Sequence, residues 1–276
     1  MTETSANAAG TSTAPAPAGS VRVDSVNPTA EQIAEYALRL GDDALITAQR
    51  LGEWIANAPE LEEDVVLGNI GLDEVGQARS LLGYAGSLTN STEDELAYFR
   101  DDQQFRCCHL VCLPRGDFAD AVARLLVFGS YQLELYSRLV DSADATIAGV
   151  AGKAVKEVTY HVEHGAGWVV RLGDGTDTSR GKMIEALDRL WPYVPELFDT
   201  DELEHTLASA NIAADSSALE QPVLQRVSAA LRQAGLGLPT APRVAGGGRH
   251  GRPSEHLGFL LAEMQVLARA HPGATW

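Results

Sequence analysis

Apolar residues along the chain recur every three or four positions over long stretches, and no stretch alternates strictly enough to read as a strand. The first series is Ile33, Ala37, Leu40, Ala44, Ala48, Leu51 and Ile55. It follows Asn27-Pro28-Thr29, a helix-start signal, and is expected to end near Ala58-Pro59. A second helix is expected over about residues 61–88. A third carries Ala119, Val122, Leu126, Gly129, Leu133, Tyr136 and Val140 on one face, with Asp117 as its N-cap. The fourth has Ile147, Ala151, Ala154, Val158, His161, Gly165, Trp168 and Leu172, and stops at Gly173-Asp174-Gly175.

Shorter pieces surround these four. Thr92 and Glu95 form a capping box for a short helix before the cysteine cluster. Helices are expected over residues 179–190, 201–208 and 216–234, with a break at Trp191-Pro192. A Gly- and Pro-rich loop over residues 236–253 reads as a flexible connection to a last helix capped by Ser254. Two pairs of long helices with a longer excursion between the pairs predict an all-α fold, a ferritin-like four-helix bundle with one long crossover and additional C-terminal helices. Residues 1–26, rich in Ala, Thr, Ser, Pro and Gly, are expected to be a disordered tail. Residues 27–276 are expected to form a single domain, with the core bundle over about 28–173 and the C-terminal helices and loop over about 176–276.

The candidate chemistry centres on LDEVGQARSL, which places Glu74 and Gln77 on the apolar stripe of Leu67, Ile70, Ala78 and Leu81. A bundle that holds two metal ions needs about six ligands, one carboxylate from each of two helices and an E-x-x-H pair from each of the other two. Here an amide, Gln77, stands in a histidine position, and an amide nitrogen is not basic. His161 is on its stripe, but Val158 three residues earlier ligates nothing, while Glu157 sits on the stripe's edge. Gly129 stands where the third helix would supply a carboxylate, and Glu134 lies off the stripe, spaced to pair with Arg138. Asp42 and Asp43 flank the first stripe, so that one of them points inward, and His164 adds an H-x-x-H pair.

Asp43, Glu74, Gln77, Gly129, Val158, His161 and His164 therefore read as a degenerate site, with no metal, catalytic or cofactor-binding residue expected. In that reading Asp43, Glu74, Gln77 and His161 hydrogen-bond one another, with Lys153 or Lys156 reaching inward, and fix helix register. The competing reading is a stand-alone metal-dependent oxidase that uses Asp43, Glu74, His161 and His164. Cys107, Cys108 and Cys112 match no usual zinc spacing and are expected to be reduced core residues.

Charge narrows the partners. A formal net charge of −17 disfavours nucleic acid and anionic membranes. No apolar run approaches the ~20 residues of a membrane span, and the N-terminus lacks a signal-peptide pattern, so a cytoplasmic location is expected.

The segments LGDDALITAQRLGEW, NIGLDEVGQARSLLGYA, KAVKEVTYHVEHGAGWVVRLGDGTD and SEHLGFLLAEMQ resemble the C-subunit family of phenylacetyl-CoA 1,2-epoxidases, from about Glu35 to Trp276. The resemblance implies a multicomponent monooxygenase of aerobic phenylacetate degradation. In such a system the A subunit is catalytic and carries di-iron, and a reductase with FAD and iron-sulfur supplies electrons from NADPH. It further implies that the C subunit resembles its catalytic relative in fold, lacks the iron and supports it structurally, with Gln77 and Val158 where that relative has histidine and glutamate. The other components of the complex are further expected partners. An apolar docking patch would make the isolated chain self-associate as a homodimer. Arg249 and Arg252, in GGGRHGR, are a secondary candidate for contact with the phosphates of CoA.

Overall fold

The computed structural model describes residues 1–2 and 27–274. The predicted tail over residues 1–26 lies, but for its first two residues, outside the described residues. Four long helices appear where the apolar periodicity places them: α1 (Ala30–Gly52), α2 (Leu61–Thr89), α5 (Phe118–Leu139) and α6 (Ala145–Gly173). Between the pairs lie the short α3 (Glu93–Tyr98) and α4 (His109–Cys112), and no strand occurs among the described residues. The starts are side-chain caps. Thr29 and Thr92 form capping boxes with Gln32 and Glu95, and Asp117 accepts from the N–H groups of Ala119 and Asp120.

The helix α1 packs chiefly on α2 and α5 on α6, while contact between α2 and α6 joins the two pairs. The crossover seats α4 between α1 and α5. This is a ferritin-like arrangement. The close packing of α5 on α6 depends on Gly165, where a Cβ would come within 2.8 Å of the Leu126 backbone nitrogen. After the bundle, α7 (Asp177–Leu190) and α9 (Glu220–Gln233) cover α5 and α6, α8 (Glu202–Ser209) lies on α1, and α10 (Leu257–Ala270) lies on α3. One core cluster takes in residues from Tyr36 on α1 to Leu261 on α10. No helix among the described residues is long and apolar enough to cross a membrane.

Tertiary packing overrides local pattern in four places. The helix α1 stops at Gly52 instead of running to Ala58, because the turn that follows buries Trp54 against Phe118, with ring centroids 5.9 Å apart, and leaves Ile55 exposed. The larger aromatic surface gains more from burial than the isoleucine loses. Glu134 pairs with Arg226 on α9 rather than with Arg138, which donates to the Ala218 carbonyl at 2.9 Å. Ser254 does not cap α10 with its side chain; its carbonyl accepts from the Leu257 N–H at 3.2 Å.

The fourth place is the Gly-rich loop, which is clamped where flexibility was expected. Glu196, buried in the 3₁₀ segment Trp191–Phe198, accepts from the N–H groups of His109, Gly247 and Gly248 at 2.8, 2.8 and 3.0 Å. Gly247 has φ +132°, open to glycine, and a Cβ on Gly248 would lie 2.0 Å from the Cys107 carbonyl oxygen. The clamp ends in a buried ion pair, Arg249 with Asp43 at 2.5 Å. The Arg249 guanidinium also donates to the carbonyls of Arg39 and Arg106, both at 3.0 Å. Arg249 thus holds the loop to α1 and the crossover, whereas Arg252 is exposed beside Gly247.

Removing one partner of a buried pair leaves the other uncompensated. Arg249→Met is expected to cost about 3–5 kcal/mol in chemical denaturation. Asp43→Asn in the same background should recover part of that loss.

Candidate functional site

The helices α2 and α6 present a ladder of polar side chains to each other through the centre of the bundle. Glu74 and His161 are each 1% exposed, the most deeply buried members. His161 Nδ1 lies 3.6 Å from Glu74 Oε1, and its Nε2 lies 3.1 Å from Asp73 Oδ2. From α5, the Gln132 amide donates to Glu74 Oε2 at 3.0 Å. One turn away, the Gln77 amide donates to Glu157 at 3.5 Å, and Glu157 also takes Lys153 at 3.2 Å. At the other end His164 Nε2 meets Glu63 at 2.9 Å, and Tyr160 stacks on the His164 ring.

The predicted network is thus corrected in its members. Asp43 takes no part in it. Its carboxylate accepts from the Cys108 N–H at 2.9 Å and pairs with Arg249, while burial pushes its pKa up against the pull of that arginine. Asp42 also points inward, paired with Arg100 and accepting from the Arg106 N–H at 2.7 Å. Gln77 bonds Glu157 and not Glu74, and Lys153 and Lys156 stay at the surface. Gly129 and Val158 are buried as predicted, Gly129 against Val162 and Val158 in the main core.

Sequence periodicity missed Gln132, Asp73 and Glu63. Asp73 and Gln132 lie off the stripes, and α5 is buried around most of its circumference, so no apolar stripe singles out its inward side. The cysteines are free and buried, with Cys107 Sγ and Cys112 Sγ 3.5 Å apart. That contact, and then burial, push the Cys107 thiol well up, which disfavours the thiolate.

Beside Glu74 and His161 lies a cavity of about 20 Å³ between α1, α2, α5 and α6. A pair of metal ions in this fold class would sit here. The residues do not fit one. A single carboxylate and a single imidazole face the cavity, with Gln132 and Gly129 in place of further ligands. The guanidinium-bearing side chains of Arg50 and Arg124 also line it, and they repel cations. Among the described residues no three of His, Cys, Asp and Glu are grouped so as to hold a metal ion.

The fold and this cluster together define a class, a ferritin-like helical bundle with a polar cluster of Glu74, Gln132 and His161 in its core. Residues 22–276 match the family described as "Phenylacetic acid catabolic protein". The chain belongs to that family. It is 45% identical over 246 residues to the C subunit of the 1,2-phenylacetyl-CoA epoxidase of Escherichia coli (strain K12), a match that covers 89% of this chain and 99% of that protein. The resemblance drawn from the four sequence segments therefore holds.

Two outcomes test the site. Burial lowers the His161 pKa, but Glu74 and Asp73 outweigh it and hold the value above the ordinary 6.5. A raised value means that the ion pairs stabilise the fold fully below about pH 6.5 and lose their effect as pH rises through the folded-state value. The thermal midpoint of the chain should fall over that interval, and His161→Gln should flatten the fall. Gln77→His is expected to leave iron substoichiometric by metal analysis, because Val158 and Gly129 still supply no ligand.

Proposed function

We propose that this chain is the structural, non-catalytic member of a phenylacetyl-CoA epoxidase complex of phenylacetate degradation. In this reading it pairs with a homologous chain that carries the di-iron centre and epoxidises the aromatic ring with O2 and NADPH-derived electrons. The observation that carries the reading is the cavity beside Glu74, where two arginines and an amide stand in place of ligands. The likeness to the C subunit of an epoxidase supports the choice of complex. A stand-alone oxidase built on Asp43, Glu74, His161 and His164 would need these side chains to converge, and Asp43 is engaged elsewhere by Arg249.

A docking face for the partner is supported by α2. Its inward stripe of Leu67, Ile70, Glu74 and Leu81 is buried. On the opposite side Leu61, Val65 and Leu72 share an arc at 75%, 56% and 68% exposure, with Gly68 between them. A helix apolar on both sides belongs between two layers. Such a stripe fits a second bundle lying along α2.

Co-expression with the catalytic relative, followed by a phenylacetyl-CoA epoxidation assay with and without this chain, tests the reading. Activity is expected to require both chains, with substoichiometric iron in this one. Leu72→Glu should abolish co-purification while leaving the isolated chain folded. A full iron pair and O2-dependent turnover in the isolated chain would overturn the reading.

A further inference from the structure

Four residues that line the cavity beside Glu74 carry buried polar atoms without a hydrogen-bond partner among the described residues: the Thr47 hydroxyl, the Nε atoms of Arg50 and Arg124, and His161 Nδ1, which faces Glu74 at 3.6 Å. Thr47, Arg124 and His161 are all more than nine-tenths buried. Unpartnered buried polar groups are rare in folded proteins, and several around one cavity call for a common ligand. The two arginine nitrogens can only donate, and the hydroxyl can donate, so the ligand is an acceptor.

Charge selects its sign. Arg50 is balanced by Glu53 at 2.5 Å, and His161 lies between Glu74 and Asp73. Glu74, the acid of the cavity, is turned to Gln132 and His161. Of these cavity charges, Arg124 is the one with no carboxylate in salt-bridge contact among the described residues; its guanidinium donates to the Pro114 carbonyl at 2.6 Å. The nearby acid Asp120 is gripped by Arg189 at 3.0 and 2.9 Å. Burial, then the neighbouring Arg50, push Arg124 down to about 10, with Asp120 and Glu53 acting the other way. The guanidinium stays charged at neutral pH without a counter-ion of its own.

Size selects the kind of anion. About 20 Å³ holds one water-sized particle, whereas a benzene-sized ligand fills ~150 Å³. Carboxylates, phosphates and aromatic acids are therefore too large. Leu51, Trp54, Leu125 and Phe128 form the remaining wall and suit a weakly hydrated ion.

We propose that this cavity is a halide site, in which one chloride is held by the Nε–H groups of Arg50 and Arg124 and the Thr47 hydroxyl. A core position that carries cations in this fold class then carries an anion, which compensates Arg124 and ties α1 to α5. The site is a property of this chain alone and is independent of its partner.

Bromide replaces chloride and scatters anomalously, so crystals of the full chain grown or soaked in sodium bromide test the proposal directly. One anomalous peak is expected between Arg124 and Thr47. In solution, the thermal midpoint should stand a few degrees higher in sodium chloride than in sodium gluconate at matched ionic strength. Arg124→Gln should abolish that increment, and Thr47→Val, which keeps the shape of the side chain, should reduce it while preserving the fold. No bromide at this position, or equal midpoints in the two salts for the unaltered chain, would overturn the proposal and leave the cavity to a water molecule.

Discussion

A carboxylate buried to 1% exposure in an apolar core must be compensated, and Glu74 imposes that demand on the whole bundle. In a metal-bearing bundle two cations would meet it. Here the Gln132 amide at 3.0 Å and the His161 ring at 3.6 Å do so. These partners come from α5 and α6, so satisfying one side chain fixes how α2 sits against both. Glu63 with His164 and Gln77 with Glu157 extend the same contact along α2 and α6. Because each rung depends on a match of depth as well as of chemistry, a slide of one helix along the other would break all of them together.

The crossover and the C-terminal loop are joined by a second, separate network. Asp42 and Asp43 are neighbours on α1, yet they serve different stretches of the connection. Asp42 holds Arg100 and the Arg106 N–H, while Asp43 holds the Cys108 N–H and Arg249. Glu196 completes it with three backbone N–H groups from the cysteine segment and the glycine loop. Each acid compensates chain that has no helical hydrogen bonds of its own, which is why two irregular segments pack tightly against the bundle. The glycines serve close approach there; their flexibility is used up by the fold.

The two networks leave α2 in an unusual position. Its inward side is spent on the polar ladder and the core, and its outward side is still apolar at Leu61, Val65 and Leu72. In the proposed scaffold role, that combination suits a chain whose core is filled by packing and whose outer face is covered by a partner. The proposed scaffold role and the altered core are therefore two aspects of one helix.

What the sequence determined by itself were the properties set by local periodicity and capping. The four long helices, the caps at Thr29, Thr92 and Asp117, the two-pair topology and the burial of Glu74, Gln77, Val158 and His161 all follow from spacing within single helices. Pairing between helices was decided by the tertiary structure. Gln132, Asp73 and Glu63 enter the polar ladder through the rotation and depth of neighbouring helices, which no single stripe encodes. The same reason separates Asp43 from Glu74, sends Glu134 to Arg226, ends α1 early to bury Trp54 and locks Arg249 inside the fold. A side chain's partner depends on what the rest of the chain brings to within a few ångströms, and that distance exists only once the helices have packed.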